Sequence, residues 1–145
     1  MRNLTVIRRK TFVACLGSVK IYIEDANGNT NINGTKCRLL GKLKNNSRET
    51  FEIGNESCKV FAIYDKASKG ICNDVYIIPE GEDDLYISGI AHFNPFIGNP
   101  FYFDGTPCEE AIAMRKQTKK KAVLIMVPVM IIAVIAGFMI GWYLA

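Results

Sequence analysis

Residues 122–145 read AVLIMVPVMIIAVIAGFMIGWYLA, 24 residues without a charge, in which only Pro128, Gly137 and Gly141 fall outside the apolar set. A hydrocarbon core about 30 Å thick takes roughly 20 apolar helical residues, and a run of this length extends about 36 Å, enough to cross with some tilt. Twelve of the 24 are Leu, Ile, Val or Phe. At about −0.3 to −0.6 kcal/mol each near the bilayer centre, they favour insertion by roughly 4 to 7 kcal/mol with no charge in opposition. The chain has 145 residues, so the soluble part is too small to surround a helix that is apolar on every side. A single transmembrane helix is expected.

Both flanks agree. Arg115, Lys116, Lys119, Lys120 and Lys121 carry +5 just before the run, and Trp142 and Tyr143 lie where an aromatic belt meets the far interface. Residues 1–110 hold 13 Lys/Arg against 14 Asp/Glu, so the net charge of +4 belongs to this collar and not to the domain. That distribution speaks against nucleic-acid binding, which needs basic residues spread over a face or groove. Dense Lys/Arg marks the cytoplasmic side, so residues 1–121 are expected to face the cytoplasm with essentially nothing beyond the outer leaflet. The layout resembles a tail-anchored protein over its last 35 residues or so, which implies insertion after synthesis. The collar is expected to meet anionic lipid headgroups at about 1 kcal/mol per cation, less at high salt.

Within the run, Ala133, Gly137, Gly141 and Ala145 recur every four residues. They form a narrow small-residue strip, the geometry that lets two membrane helices approach, and a homodimer through this helix is the corresponding expectation. Pro128 frees the carbonyl of Leu124, and a kink is read there.

Upstream, Thr106-Pro107-Cys108-Glu109 offers Thr as helix cap, Pro at the first helical position and Glu three residues after the cap. No Gly or Pro follows before residue 122, so the spacing predicts one rod running from the juxtamembrane segment into the bilayer and holding the domain close to it. Three segments follow: a soluble domain over 1–105, a capped basic juxtamembrane helix over 106–121, and the transmembrane helix over 122–145.

The first segment alternates in the manner of β-structure. Val19, Ile21 and Ile23 stand against Lys20, Tyr22 and Glu24, and Phe51 and Ile53 against Thr50 and Glu52. Cys58–Tyr64 is apolar nearly throughout, as a strand covered on both faces requires. Asp74–Ile78, residues 85–88 and Phe101–Phe103 are further candidates. Turn clusters separate them, including Asp25-Ala26-Asn27-Gly28, Asn33-Gly34, Asn45-Asn46, Gly54-Asn55, residues 65–70 and Pro79-Glu80-Gly81. The fold class expected is all-β, a small antiparallel sandwich or barrel of about seven to nine strands. Val19 to Ile23 followed by Ile32-Asn33-Gly34 resembles the start of PEGA-type β-domains, over too little chain to carry a function across.

A second topology starts from Phe12-Val13-Ala14-Cys15 after Arg8, Arg9 and Lys10, which resembles a lipoprotein cleavage box. Its apolar core, residues 11–19, is short for a signal peptide and broken by Gly17 and Ser18. The same residues read better as a strand with a bend.

Chemistry is sparse. Cys15, Cys37, Cys58, Cys72 and Cys108 have no metal or redox spacing and read as small buried apolar residues in a reducing compartment. His92 is the one histidine and reads as a turn or strand-end residue. Nucleophile elbow, phosphate loop and dinucleotide fingerprint are all missing, and residues 66–70 read as a hairpin loop. Glu80, Glu82, Asp83 and Asp84 lack the ligand order and positioned Gly of a calcium loop and read as a solvated turn. Asn94-Pro95-Phe96 and Asn99-Pro100-Phe101 resemble ligands of EH domains and read otherwise as Asn-Pro turns packing aromatic rings inward. Four glycosylation acceptors, at Asn3, Asn33, Asn45 and Asn55, have no meaning on the cytoplasmic side.

No cofactor, metal or enzymatic activity is expected. The reading is a membrane-tethered β-sandwich that binds an unknown protein partner at the cytoplasmic surface by adding a strand to an exposed edge. Its alternatives are an outward-facing envelope domain with oxidised cysteines and an enzyme with a carboxylate-based site.

Overall fold

The computed structural model describes residues 1–12, 14–64, 74–94 and 99–144. Nine strands are β1 (Arg2–Arg8), β2 (Val19–Glu24), β3 (Thr30–Ile32), β4 (Thr35–Leu43), β5 (Ser47–Ile53), β6 (Cys58–Tyr64), β7 (Asp74–Ile78), β8 (Leu85–Ala91) and β9 (Phe101–Phe103), and helix α1 (Glu109–Leu144) follows them. They form a four-stranded sheet, β5-β1-β8-β9, and a five-stranded sheet, β3-β4-β2-β6-β7. The all-β domain followed by one long apolar helix is as expected. One pairing departs from the antiparallel pattern: β1 and β8 run parallel, Leu4 opposite Leu85 through Arg8 opposite Gly89.

The two sheets enclose the main core, with Leu4 and Val6 of β1 and Ile87 of β8 facing Val19, Ile21, Val60 and Ala62. Strand β6 lies between β2 and β7 and is covered on both faces, as its composition requires. Val60, Ala62 and Tyr64 point into the main core. Phe61 and Ile63 point outward into a second core, where Ile32, Cys37 and Val75 meet Ala111 and Met114 of α1. The helix thus forms a third layer at its N-terminal end.

Strand β4 changes face partway. Cys37 lies in the second core and Leu43 in the main one, although six positions apart they would share a face by simple alternation. A bulge accounts for this: Ile21 pairs with Gly41 and Tyr22 with Leu39, which leaves Leu40 as the extra residue. The β3–β4 turn is Asn33-Gly34, with φ of 51° and 86°. Two positive φ values are those of the two-residue turn whose twist matches a hairpin.

Residues 11–12 and 14–18 differ from the expected bent strand. They form an irregular connection, and β2 begins at Val19. The cause is Arg8, which has 0% exposure at the end of β1. Its guanidinium donates to the carbonyls of Ala14 and Gly17 at 2.6 Å and of Leu43 at 3.2 Å, and sits 5.6 Å from the centre of the Tyr64 ring. Those carbonyls are drawn inward to a cation and lost to a ladder. Burial lowers the Arg8 pKa from the usual arginine value. Gly17 is required here, because a Cβ would stand 2.1 Å from the Tyr64 hydroxyl. At the other end of β1, Arg2 is 3% exposed and donates to the carbonyls of Gly54, Glu56 and Pro79.

Helix α1 begins at Glu109, and its first bond runs from the Ile112 amide to the Cys108 carbonyl at 2.9 Å. Cys108 is therefore the cap, two residues later than the expected Thr106. The helix continues unbroken through Pro128 to Leu144, about 54 Å at 1.5 Å per residue.

Candidate functional site

The structure concentrates buried charge where the helix meets the sandwich. Asp74, the first residue of β7, has 0% exposure. Its Oδ1 accepts from Arg115 Nε at 3.1 Å, and its Oδ2 accepts both from the Phe103 amide at 2.8 Å and from Arg115 Nη2. Arg115 also donates to the Phe103 carbonyl at 3.0 Å and lies 4.9 Å from the centre of the Tyr102 ring. One carboxylate thereby joins edge strands of both sheets, β7 and β9, to α1. The hydrogen bond to Asp74 raises the Arg115 pKa above its already high ordinary value. Nearer the helix start, Lys59 Nζ of β6 stands 2.6 Å from Glu110 Oε2, and this bond raises the Lys59 pKa. Between and beyond these pairs, Ala111, Met114 and Thr118 are buried, the i, i+3, i+7 stripe of a docked helix face.

The ties also fix direction. Ala62, which pairs with Asp74, follows Lys59 on β6, as Arg115 follows Glu110 on α1. Strand and helix therefore run the same way, and the Tyr64 end of β6 points toward the apolar run while the Cys58 end points away. Thr118 is still buried at 6%. Residue 122 is one turn further, about 6 Å along the axis.

Of the five collar cations, Arg115 is placed apart from the rest. Its guanidinium is committed to Asp74, Phe103 and Tyr102, whereas Lys116, Lys119, Lys120 and Lys121 are exposed. In the apolar run, Ala133, Gly137 and Gly141 are exposed, and a Cβ added at either glycine meets nothing within 4 Å. The two glycines lie in a shallow groove with Val134, Phe138 and Trp142. Ala145 lies outside the described residues.

The end of the sandwich remote from the apolar run carries a cleft of about 640 Å³ between the β2 terminus, the start of β4 and the β5–β6 turn. Glu24, Asp25, Lys36, Arg38 and Glu56 line it. Asp25 accepts from the Asn27 amide at 2.9 Å and from Arg38 Nε at 3.0 Å, and these bonds, Asn27 first, hold its pKa below the usual carboxylate value. Glu24 accepts from the Lys59 amide. The acidic turn lies at the same end: Gly81 bonds to the Asn55 carbonyl, and Asp84 accepts from the amide and side chain of Asn3. This end is acidic.

Among the described residues, no three His, Cys, Asp or Glu side chains converge as metal ligands. The cysteines divide: Cys37 is buried, Cys58 and Cys108 are half-buried, and Cys15 is exposed, which corrects the expectation of uniform burial. Burial raises the pKa of both Cys37 and Cys58, so they are held as thiols. Cys72 and residues 66–70 lie outside the described residues, as do Pro95 and Phe96. His92 follows β8, exposed, with its ring 5.2 Å from that of Tyr102. Phe101, of the second Asn-Pro-Phe, has 0% exposure in the main core, as a turn packing its ring inward requires.

Asp74 is the residue that sequence reasoning missed. The available signal was a carboxylate opening an otherwise apolar strand, but its partner is 41 positions away. Neither the protein-family models nor the curated proteins contain a match to this chain.

Proposed function

We propose that this chain is a non-catalytic, single-pass membrane protein that mounts its β-domain rigidly at the cytoplasmic face and offers the remote, acidic end to a soluble protein partner. One observation carries the reading: the helix that is long and apolar enough to cross a membrane is also the helix keyed to the domain by Arg115 and Asp74. A mount of this kind fixes which end of the domain faces away from the bilayer. The four exposed lysines supply the cytoplasmic orientation through the positive-inside rule.

The sheet edges favour the cleft over strand addition. Strand β5, the longest edge, bears exposed Arg48, Glu49 and Glu52, and β3 and β9 have three residues each. Charged or very short edges resist pairing. A polar cleft flanked by carboxylates suits a basic segment of a partner instead.

The test has two readouts. Synthesised with endoplasmic-reticulum microsomes, the chain should stay unglycosylated at the exposed Asn33 acceptor, and its domain should be digested by added protease; glycosylation with protection overturns the orientation. A photocrosslinking residue placed at Lys36 in the cleft should then trap a discrete cytosolic partner that one at Arg48 does not. Trapping at Arg48 alone would restore strand addition, and trapping at neither would remove the partner.

A further inference from the structure

The end of the sandwich nearest the apolar run has a property that folding does not explain. Residues 9–12 and 14–18 lie across this end between β1 and β2, and they are braced from within. Arg8 holds the carbonyls of Ala14 and Gly17, the Tyr64 hydroxyl donates to Ala14, and the Thr11 amide and carbonyl bond to the Asn45 side chain at 2.9 Å each. A segment held this firmly nevertheless turns Phe12 and Leu16 outward, at 92% and 86% exposure. Among the described residues before 122, these are the two most exposed large apolar side chains. Phe93, 58% exposed, follows β8 at the same end, because β8 runs parallel to β1.

We infer that Phe12 and Leu16 seat in the interfacial layer of the same bilayer that receives α1, so that the domain rests on the membrane at a second point. This rests on the membrane reading above. Level is the first support: burial of the helix against the domain persists to Thr118, about one turn short of the apolar run. The second is charge, since exposed Lys10 and Lys44 flank the braced segment and Lys116, Lys119, Lys120 and Lys121 continue the positive field along the helix. The acidic residues of the cleft and of the turn after β7 gather at the opposite end. A domain acidic at one end, and basic with exposed apolar side chains at the other, has the polarity of a surface that meets anionic lipid. Continuity is the third support, because the surface adjoins the helix that enters the lipid.

The experiment uses full-length chain in phosphatidylcholine–phosphatidylglycerol vesicles, with and without lipid brominated near the headgroup end of the acyl chains. Trp142 is the one tryptophan, and its emission in the parent chain, read with lipid brominated at matching depth, reports the spanning helix. Phe12→Trp in a Trp142→Phe background reports the second contact, and the high exposure of Phe12 makes the exchange harmless to the fold. Expected are blue-shifted F12W emission, quenching by the shallow bromines, and weaker quenching when phosphatidylglycerol is omitted. Quenched Trp142 with solvent-like, unquenched F12W overturns the second contact and leaves the spanning helix intact. Blue-shifted but bromine-insensitive F12W means that a second protein copy covers the loop, and also overturns it. Unquenched Trp142 overturns both.

Discussion

The two halves of α1 differ in what surrounds them, packed protein along one face of the first and no protein along the second. Over residues 109–118 one face is buried against β6 and β7 and the other mixes Glu109, Lys116 and Gln117 with exposed Ile112 and Ala113, while Glu110 and Arg115 reach back to Lys59 and Asp74. From residue 123 onward every described side chain is exposed, and nearly all are apolar. The first half needs named partners, because a protein surface holds a helix only where shapes and charges match. The second, long and apolar enough to cross a membrane, would need none there, because lipid accepts apolar area without regard to direction. Specific chemistry thus belongs to the dock and bulk chemistry to the span.

The largest effect that tests this contrast is expected from Asp74→Ala. It leaves the Arg115 guanidinium and the Phe103 amide without their shared acceptor, and should lower the unfolding free energy by about 3 kcal/mol. Denaturant unfolding in micelles measures the loss, and hydrogen exchange over 110–118 should rise with it. A loss under about 1 kcal/mol would assign the dock to apolar packing alone. Next comes Ile132→Arg in the span, which should disfavour insertion by about 3 kcal/mol and raise the share of chain released on alkaline extraction, with domain unfolding unchanged. If the domain is destabilised too, the halves are not separable.

A smaller effect is expected from Gly137→Ile with Gly141→Ile, which fills the open strip and should reduce crosslinking between copies in membranes; undiminished crosslinking removes the strip from self-association. The smallest is Lys59→Met, about 0.5 kcal/mol for a half-exposed pair. Its pH dependence has a fixed sign. Glu110 raises the Lys59 pKa above 10.5, so the stabilisation is full below that value and is lost as pH climbs through the raised folded value. The gap between parent and variant in urea midpoint should therefore close only as pH rises through the raised Lys59 value, and hold steady near pH 8.

Local pattern made β2, β6, β7, β8, β9 and the latter half of β5 legible, and the apolar run of β6 required cover on both its faces. Strand β1 was not legible, because its inward positions include Arg2 and Arg8, both buried on backbone carbonyls where alternation leads one to expect apolar side chains. Strand β4 was hidden by Leu40, since one extra residue moves every later side chain to the other face. Arg115 was counted with the collar because its spacing fits one. Its role depends on Asp74, which only the tertiary fold brings near. The cleft was equally out of reach, being assembled from turns whose acidic residues each look like solvated loop.

The unbroken helix has a rotational consequence. At 100° per residue, the strip of Ala133, Gly137 and Gly141 lies about 100° around the axis from the docked face of Ala111, Met114 and Thr118. Two copies paired along that strip would carry their domains to the side of the contact and clear of each other. Phase is then a heritable quantity: one residue inserted between 122 and 132 turns the domain by about 100° against the strip, and four return it nearly to register.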